Sequence, residues 1–259
     1  MKKLLTAIIV LLTLSATAQR SSDISIDRYY HIKRGNVWFH ATRLMYGYQD
    51  GIKYPQTETD TIYFYNNMDK PLEYSFQNLP DFLSVQVIPP EVPAKTEGKI
   101  AVAYDTKVKG TYGPTFDYFF MKTNDSERAK KRLIVSPKIK QDFSGLSDED
   151  LANAPDISFE TKKYDFGTLE EGEKITHTFR FTNKGERDLI IRATDASCGC
   201  TSPEPEKKQI APGESGSIKV IFNSWGKKGK QHQRVTVIAN DPDHPVTTLH
   251  LNGKVKTKN

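Results

Sequence analysis

Cysteine is scarce in this sequence: its 259 residues contain two, Cys198 and Cys200, one residue apart. Long apolar runs are scarce as well. The stretch from Leu4 to Leu14 is apolar apart from two threonines, and it is shorter than the roughly 20 residues that a transmembrane helix needs. The sequence therefore predicts no membrane span, and it concentrates its thiol chemistry in one short loop.

A strong charge imbalance is also missing. The formal net charge is +5, and it falls by two, to +3, if Lys2 and Lys3 are removed with a leader segment. That excess is too small to predict a nucleic acid or a membrane surface as the partner. The basic clusters at 128–140 and 227–234 are interpreted as solvated strand edges, where lysines are common.

Common catalytic motifs are absent. The sequence has no G-x-S-x-G, no H-E-x-x-H and no glycine-rich phosphate-binding loop, which mark several large enzyme classes. Catalytic groups can still be assembled from distant loops. The absence therefore favours a non-enzymatic protein without requiring one.

The start of the chain has the pattern of a secretory signal peptide. Met1-Lys2-Lys3 is basic, the apolar stretch follows, and Ala16-Thr17-Ala18 is a small-x-small cleavage site. Residues 1–18 are predicted to be removed, which leaves 241 residues in the periplasm or outside the cell. Gln19 stands where a lipid-modified cysteine would be, so a lipid anchor is not expected.

Short segments that alternate apolar and polar residues occur twice over. Residues 61–67 resemble 176–183, and the alternating run from Ile100 resembles the one from Ile218, each preceded by proline and glycine. Period-two alternation between turns predicts antiparallel strands with one buried face. We expect an all-β fold of two tandem immunoglobulin-like sandwiches. The expected units are a divergent sandwich at 19–140, a linker at 141–155 with a helical turn capped by Ser147, and a second sandwich at 156–259.

Tyrosine is distributed unevenly between the two units. Eleven of the twelve tyrosines lie in the first one. Tyrosine favours strands, and it is also enriched in contact surfaces. Strand packing is the favoured explanation, but a sheet with a wet face must expose some of these rings, which suggests the first unit as the one that meets a partner.

The loop Ser197-Cys198-Gly199-Cys200-Thr201 offers three kinds of chemistry. An exported cysteine pair tends to oxidise, and Gly199 would supply the backbone freedom of so tight a turn. Two free thiolates would instead suit copper or zinc, with His177 as the first candidate for a further ligand, ahead of His232, His244 and His250. Thiol–disulfide exchange is a third possibility, although redox pairs are usually C-x-x-C beside a helix.

His177 has a simpler explanation. It lies in phase with Phe179 and Phe181, so the pattern predicts a hydrogen-bonded histidine on the core face of a strand. Turns are expected at Gly167, Gly172 and Gly213, and Ser197, Gly199 and Thr201 are expected to support the cysteine loop. The predicted partner is another envelope or extracellular protein, with no cofactor unless the loop binds copper or zinc.

Five separated motifs in the second unit occur in a characteristic order. They are Phe166-Gly167-Thr168, His177-x-Phe179-x-Phe181, Ser197-Cys198-Gly199-Cys200-Thr201, Ile210-x-Pro212-Gly213-Glu214 and Ala239-Asn240-Asp241-Pro242. Together they resemble a bacterial immunoglobulin-like domain family of unknown function with a Cys-Gly-Cys-Thr loop, similar to the major-sperm-protein and PapD-like sandwiches. The resemblance covers about residues 157 to 256. It implies a sandwich fold and an envelope or extracellular location, and it implies no activity.

Overall fold

A computed structural model describes residues 25–46 and 51–257 of the chain. The predicted signal peptide, residues 1–18, lies outside the described residues. Within them the regular structure is almost entirely β-strand, and the helices are three short ones: α1 (Ile26–Tyr29), α2 (Thr106–Lys109) and α3 (Asp148–Ala152). No helix in the described ranges is both long enough and apolar enough to span a membrane.

The strands divide into an earlier and a later set. The earlier set is β1 (Ile32–Arg34), β2 (Val37–Phe39), β3 (Arg43–Leu44), β4 (Ile52–Tyr54), β5 (Thr57–Asn66), β6 (Tyr74–Gln77), β7 (Leu83–Ile88), β8 (Thr96–Asp105), β9 (Gly113–Pro114), β10 (Asp117–Thr123), β11 (Lys130–Val135) and β12 (Lys138–Gln141). The later set is β13 (Ile157–Phe159), β14 (Lys163–Glu170), β15 (Lys174–Asn183), β16 (Leu189–Ala196), β17 (Thr201–Pro205), β18 (Gln209–Ile210), β19 (Ser215–Asn223), β20 (Gly229–Ala239) and β21 (Val246–Lys256).

The first sandwich packs a five-stranded sheet, β1-β2-β5-β8-β7, against a four-stranded sheet, β3-β11-β10-β6. A smaller sheet, β4-β12-β9, lies beside them. Fully buried side chains from both main sheets form one core, including Phe39, Phe64, Ile100, Phe119 and Leu133. Alternate residues of each strand point inward, as the period-two pattern requires.

The second sandwich pairs β13-β15-β19-β17 with β14-β21-β20-β16-β18 around its own core. On β15 the buried Phe179 and Phe181 alternate with exposed Thr178 and Arg180, and each buried ring stabilises the fold by roughly 1.5–3 kcal/mol. Most pairings in both sandwiches are antiparallel, and three edge pairings, β3 with β11, β4 with β12 and β14 with β21, are parallel. The predicted class, all-β with two tandem immunoglobulin-like sandwiches joined by a short linker, is confirmed.

Buried asparagines hold equivalent connections in the two sandwiches. Asn66 ends β5 and Asn183 ends β15, and both are fully buried. The Asn66 side-chain amide donates to the Pro93 carbonyl oxygen at 2.8 Å, and that of Asn183 donates to the Ile210 carbonyl oxygen at 3.0 Å. Each amide also donates to a backbone carbonyl of the connection that follows its own strand. The sequence repeat therefore extends to buried side chains.

A second buried pair sits at the ends of β8 and β19. Thr106 and Ser224 are both fully buried, and their hydroxyls donate at 2.8 Å to the carbonyl oxygens of Gln56 and Glu173 respectively. The dipeptides Asp105-Thr106 and Asn223-Ser224, which follow the alternating runs from Ile100 and Ile218, therefore occupy equivalent positions.

Glycine is required by close packing at equivalent positions of the two sandwiches, Gly98 and Gly216. A Cβ on Gly98 would lie 2.5 Å from the Phe64 ring, and one on Gly216 would lie 2.6 Å from the Phe181 ring. Because a real Cβ does not approach a carbon so closely, a side chain at either position would displace a core phenylalanine.

Two strands of the second sandwich were missed by the sequence pattern. β17 follows the cysteine loop directly and contains Pro203 and Pro205, and β18 is only two residues long. Proline within a run argues against a strand, yet it is tolerated at a sheet edge. β17 is such an edge, paired with β19 alone in the sheet order.

The interpretation of residues 128–140 as a solvated basic cluster is wrong at Lys131. Its side chain is fully buried on the inward face of β11, and its ammonium lies 2.7 Å from the equally buried Asp125 carboxylate. Its neighbours Lys130 and Arg132 are exposed, as expected. The burial of Lys131 could have been predicted from its position, because it alternates in phase with the apolar Leu133 and Val135.

The connection between the sandwiches contains α3, capped as predicted. The Ser147 hydroxyl accepts from the Asp150 backbone N–H, and the Asp150 carboxylate accepts from the Ser147 N–H, which makes a capping box. The Ser147 hydroxyl bond, followed by the guanidinium of Arg187 at 2.8 Å, lowers the pKa of Asp150 to about 2. The linker helix is therefore tied to the second sandwich by an ion pair.

Candidate functional site

The cysteine loop connects β16 to β17 at the surface of the second sandwich. The two sulfur atoms are bonded to each other, with Cα atoms 5.2 Å apart. The Cys198 carbonyl accepts from the Thr201 N–H at 3.1 Å, and the Cys200 carbonyl accepts from the Asn223 N–H at 2.8 Å. The loop is therefore anchored to its own strand and to the end of β19.

Ser197, the first residue of the cysteine loop, is anchored to a different strand, β20. The Ser197 N–H donates to the Arg234 carbonyl at 2.9 Å, and the Ser197 hydroxyl accepts from the Arg234 N–H at 3.1 Å. Thr201 is 5% exposed and forms a ladder pair with Phe222. Ser197 and Thr201 thus hold the two ends of the loop to the two facing sheets.

Gly199 does not have the role expected of it. Its φ lies outside the left-handed region, and a Cβ there would meet nothing within 4 Å. Gly167, Gly172 and Gly213 do have positive φ values of 69°, 94° and 73°, a conformation that glycine adopts without strain. The backbone of the cysteine loop therefore does not require glycine, whereas those three turns favour it.

Two glutamines that sequence reasoning missed lie next to each other on β20, and one of them contacts the sulfur atoms. Gln231 and Gln233 are each 8% exposed and occupy inward positions of β20. The Gln233 Oε1 lies 3.1 Å from the Cys198 sulfur, and the Gln233 side-chain amide donates to the Gln231 Oε1 at 3.3 Å. The Gln231 amide in turn donates to the Lys228 carbonyl at 2.9 Å. The burial of Gln231 and Gln233 could have been predicted from sequence, because both alternate in phase with the apolar Val235.

His177 lies on β15 with its ring against aromatic neighbours. It stacks on Tyr164 with ring centroids 3.7 Å apart and meets Phe179 edge-on at 4.6 Å. Its Nε2 is buried with no hydrogen-bond partner among the described residues, so the expected hydrogen bond is not formed at that atom. Burial lowers the pKa of His177. The recorded contacts of the ring thus give no support to a role as a third ligand beside the cysteines.

The other candidate histidines are also held elsewhere. The His232 Nδ1 is 3.0 Å from the Asn252 side-chain oxygen, and His250 forms a ladder pair with Arg234. His244 lies in the turn between β20 and β21, where its Nδ1 is 3.3 Å from Asp241. No observation in the described residues favours the copper, zinc or thiol-exchange alternatives.

His244, Asp241 and Asp156 bring three possible metal-ligand atoms within 4.8 Å of one another. The two Asp241 oxygens, however, already accept hydrogen bonds from the backbone N–H groups of Ile157, at 2.9 Å, and of Asp243 and His244. The geometry is that of a carboxylate that holds a turn and the first strand of the sandwich together.

Trp225 stands beside the cysteine loop and is 78% exposed. Its backbone N–H donates to the Asn223 side-chain oxygen at 3.1 Å, and the Asn223 N–H is the donor to the Cys200 carbonyl. Gly172 approaches the indole from the neighbouring turn. A large apolar side chain is therefore displayed in solvent from a backbone that is fixed to the cysteine loop.

Comparisons with known proteins place these features in a family context. Residues 157–255 match a family described as "Protein of unknown function (DUF1573)". The match covers the second sandwich and confirms the predicted resemblance to an immunoglobulin-like family without known activity. Among curated proteins, none matches the chain.

One solved structure supports the same architecture. The chain is similar to a crystal structure of a protein of unknown function from Porphyromonas gingivalis W83, at 16% identity and a TM-score of 0.61, over 85% of this chain and all of that one. At this identity the likeness shows the fold alone. Looser matches include a PapD-like domain of human CEP192 (14% identity, TM-score 0.35, 46% of this chain and 98% of that one) and the E. coli chaperone DraB (11%, 0.32, 86% and 97%).

Proposed function

We propose that the protein is exported and acts as a non-enzymatic immunoglobulin-like binding or structural module of the cell envelope. Its partner would be another envelope or extracellular protein, which it meets through loops and sheet surfaces. The observation that carries this proposal is the loop end of the second sandwich, where a bonded cysteine pair and an exposed tryptophan share one anchored backbone.

The exposed indole is the element of this loop end that fits a partner. Trp225 is 78% exposed, and tryptophan is among the residues that contribute most to protein interfaces when a partner covers them. The anchoring of Asn223 to Cys200 limits the backbone freedom that binding would otherwise have to remove. A rigid display of this kind supports recognition and needs no catalytic group.

The cysteine pair fits a supporting role in this arrangement. Cys200 packs partly buried against the core, and the Asn223 that holds Trp225 is bonded to its carbonyl. Under this proposal the bridge fixes the loop, and export to an oxidising compartment keeps it closed. The proposed units are the sandwiches at 19–140 and 156–259, with the connection at 141–155 between them.

Site-specific photo-cross-linking tests the proposal. A benzophenone amino acid at position 225 of the full chain, expressed in cells that export it, should give a discrete cross-linked product in the envelope or extracellular fraction. Val246 is the matched control position, because it is also apolar and exposed, at 48%, but begins β21 at the other end of the β20–β21 pair.

The outcomes separate cleanly. A cross-linked product at position 225 that is absent at position 246 supports the proposal. In a chain without the benzophenone amino acid, Trp225→Ala should abolish the same complex. Equal products at both positions, no product at 225, or retention of the chain in the cytoplasm would contradict it. Trp225→Ala should change stability by no more than about 0.5 kcal/mol, because the indole is on the surface.

A further inference from the structure

The outward face of the sheet β3-β11-β10-β6 carries a row of aromatic rings flanked by cations. Along β10 and the residue before it, Phe116, Tyr118 and Phe120 occupy alternate positions, so their rings lie on one side of the strand. The cations come from the neighbouring strands β11 and β3. We call this set the aromatic–cation face: Arg43, Phe116, Tyr118, Phe120, Lys130 and Arg132.

Each ring on this face has a cation against it. The Lys130 ammonium lies 3.9 Å from the centre of the Phe120 ring, and the Arg132 guanidinium lies 4.2 Å from the centre of Tyr118. Arg43 approaches Phe116 at 5.5 Å. Such contacts hold long side chains against the sheet, but they leave the outer side of each charged group accessible.

These cations have no acidic partner among the described residues, in contrast to several surface lysines. Lys95 and Lys207, for example, form ion pairs with Asp69 and Glu214. On the four strands of this sheet, the outward positions are occupied by cations, aromatic rings, Ser75, Gln77 and Ile134, without any aspartate or glutamate. Glu73, one residue before β6, follows the same alternation and is exposed, so the face carries a net positive charge with one acidic residue at its end.

Two of the three rings on this face remain exposed to solvent despite their contacts, and Phe120 is partly buried. Phe116 is 54% exposed and Tyr118 is 42% exposed. A single exposed aromatic residue is ordinary, whereas a contiguous group suggests a contact surface. Tyrosine and arginine are, with tryptophan, the residue types enriched among the side chains that contribute most to binding at protein interfaces.

We propose that the aromatic–cation face binds an extended, acidic polypeptide segment. The charge of the face calls for carboxylates, which arginine binds with paired hydrogen bonds. The spacing calls for an extended chain: successive rings on β10 repeat about every 6.8 Å, and an extended peptide presents alternate side chains at the same interval. The inference rests on the proposed binding role and assigns it a surface and a partner chemistry.

Binding of short synthetic peptides to the full chain tests this assignment. One probe is a ten-residue peptide that alternates glutamate and threonine, and the second has the same composition with its glutamates in one block. Isothermal titration should show tighter binding of the alternating peptide, because only that peptide matches the spacing of the face. Equal affinity for both peptides would overturn the spacing argument.

Charge variants test the location. Lys130→Gln/Arg132→Gln should weaken binding of the alternating peptide by about tenfold, since each lost charged contact contributes severalfold. The matched control is Lys107→Gln/Lys140→Gln, which removes two charges at exposed positions off this face. An equal loss in both double variants would mean non-specific attraction and would overturn the proposal. Unchanged thermal unfolding confirms that each variant is folded.

Competing ligand classes are tested on the same surface. If polygalacturonate, or vesicles of phosphatidylglycerol, bound the full chain more tightly than the alternating peptide and lost affinity in Lys130→Gln/Arg132→Gln, the partner would not be a polypeptide and the proposal would fail. Failure here is distinguishable from failure of the proposed function. If only the inference about the aromatic–cation face is wrong, cross-linking at position 225 would still yield its product, and Lys130→Gln/Arg132→Gln would not change the amount of that product.

Discussion

The two sandwiches share a buried polar skeleton, made of an asparagine, a serine or threonine, and an aspartate. They differ in the side chain that pairs with the aspartate. Asp125 and Asp241 are both 1% exposed, and each accepts a backbone N–H from the start of its sandwich at 2.9 Å. Asp125 is paired with the buried ammonium of Lys131, whereas Asp241 is paired with the half-exposed ring of His244. The same structural link is therefore supported by a buried lysine in one domain and by a half-exposed histidine in the other.

A second difference lies where the cysteine loop stands. Leu83 at the start of β7 pairs with Tyr104, as Thr201 at the start of β17 pairs with Phe222. Just before Leu83, the first sandwich has Phe82, whose ring lies 5.3 Å from that of Tyr104. The second sandwich has the cysteine pair there. Hydrophobic packing in one domain is thus replaced by a covalent loop in the other.

The outer faces differ as well. In the first sandwich β10 presents aromatic rings to solvent, while β20 in the second presents His232, Arg234 and Thr236. The difference teaches that the buried asparagine, serine or threonine, and aspartate fix the architecture, and that loops and outer faces are free to carry separate roles. Substitutions of buried polar residues and of loop residues should therefore have separable effects.

The largest effect is expected from breaking the buried ion pair of the first sandwich. Lys131→Met should lower the free energy of unfolding by about 3–5 kcal/mol, because it leaves the Asp125 carboxylate buried without a countercharge. Urea unfolding followed by Trp38 fluorescence in a Trp225→Phe background reports on this domain. Lys130→Met, one residue away and exposed, is the control and should change stability by less than about 0.5 kcal/mol. Similar small losses in both variants would show that the pair does not stabilise the domain.

The shared asparagines should behave alike. Asn66→Ala and Asn183→Ala should each destabilise their own sandwich by about 2–3 kcal/mol, since buried carbonyls lose their donor. Hydrogen exchange resolved by mass spectrometry would show which sandwich opens. Asn252→Ala, whose partner is the exposed His232, is expected to have little effect. A large loss at only one of the two positions would break the equivalence of the skeletons.

Removal of the covalent loop should have a smaller effect. Cys198→Ser/Cys200→Ser should destabilise the second sandwich by about 1.5 kcal/mol, because so short a ring restricts the unfolded chain only slightly. Reduction of the wild-type chain should give the same loss, and both are measured by urea unfolding with Trp225 as reporter in a Trp38→Phe background. A loss above about 4 kcal/mol would mean that the bridge stabilises the second sandwich by more than the packing of Phe82 against Tyr104 stabilises the first.

The smallest effect concerns pH. Burial lowers the pKa of His177 below its ordinary value of 6.5, so the unfolded chain binds more protons than the folded one in that range. Stability is full above pH 6.5 and declines as the pH falls below it. His177→Phe keeps an aromatic ring against Tyr164 and should reduce this decline relative to wild type in melts between pH 7.5 and pH 5. An identical pH dependence in the two proteins would show that other groups cause it.

Alternation of residue types was sufficient to predict most of the fold. Strand β15 follows directly from it, because one of its faces is buried and the other is exposed. Alternation did not predict strand β17, because Pro203 and Pro205 argue against a strand. It places Lys131 on the buried face but does not predict what pairs with its charge there, because that depends on the position of the Asp125 carboxylate. Of the candidate site, the loop and its anchors could be predicted, but Gln233 beneath the sulfur atoms could not, because its proximity to them depends on the packing of two sheets.

The prolines of β17 have a consequence for how the second sandwich can associate. Pro203 and Pro205 have no N–H to offer to an added strand, and the Pro203 carbonyl already accepts from the Thr194 hydroxyl at 3.2 Å. An open sheet edge is a template for strand addition and for aggregation, and this edge lacks two N–H donors and has one of its carbonyls already engaged. The edge next to the cysteine loop is therefore protected against self-assembly while the loop itself stays accessible.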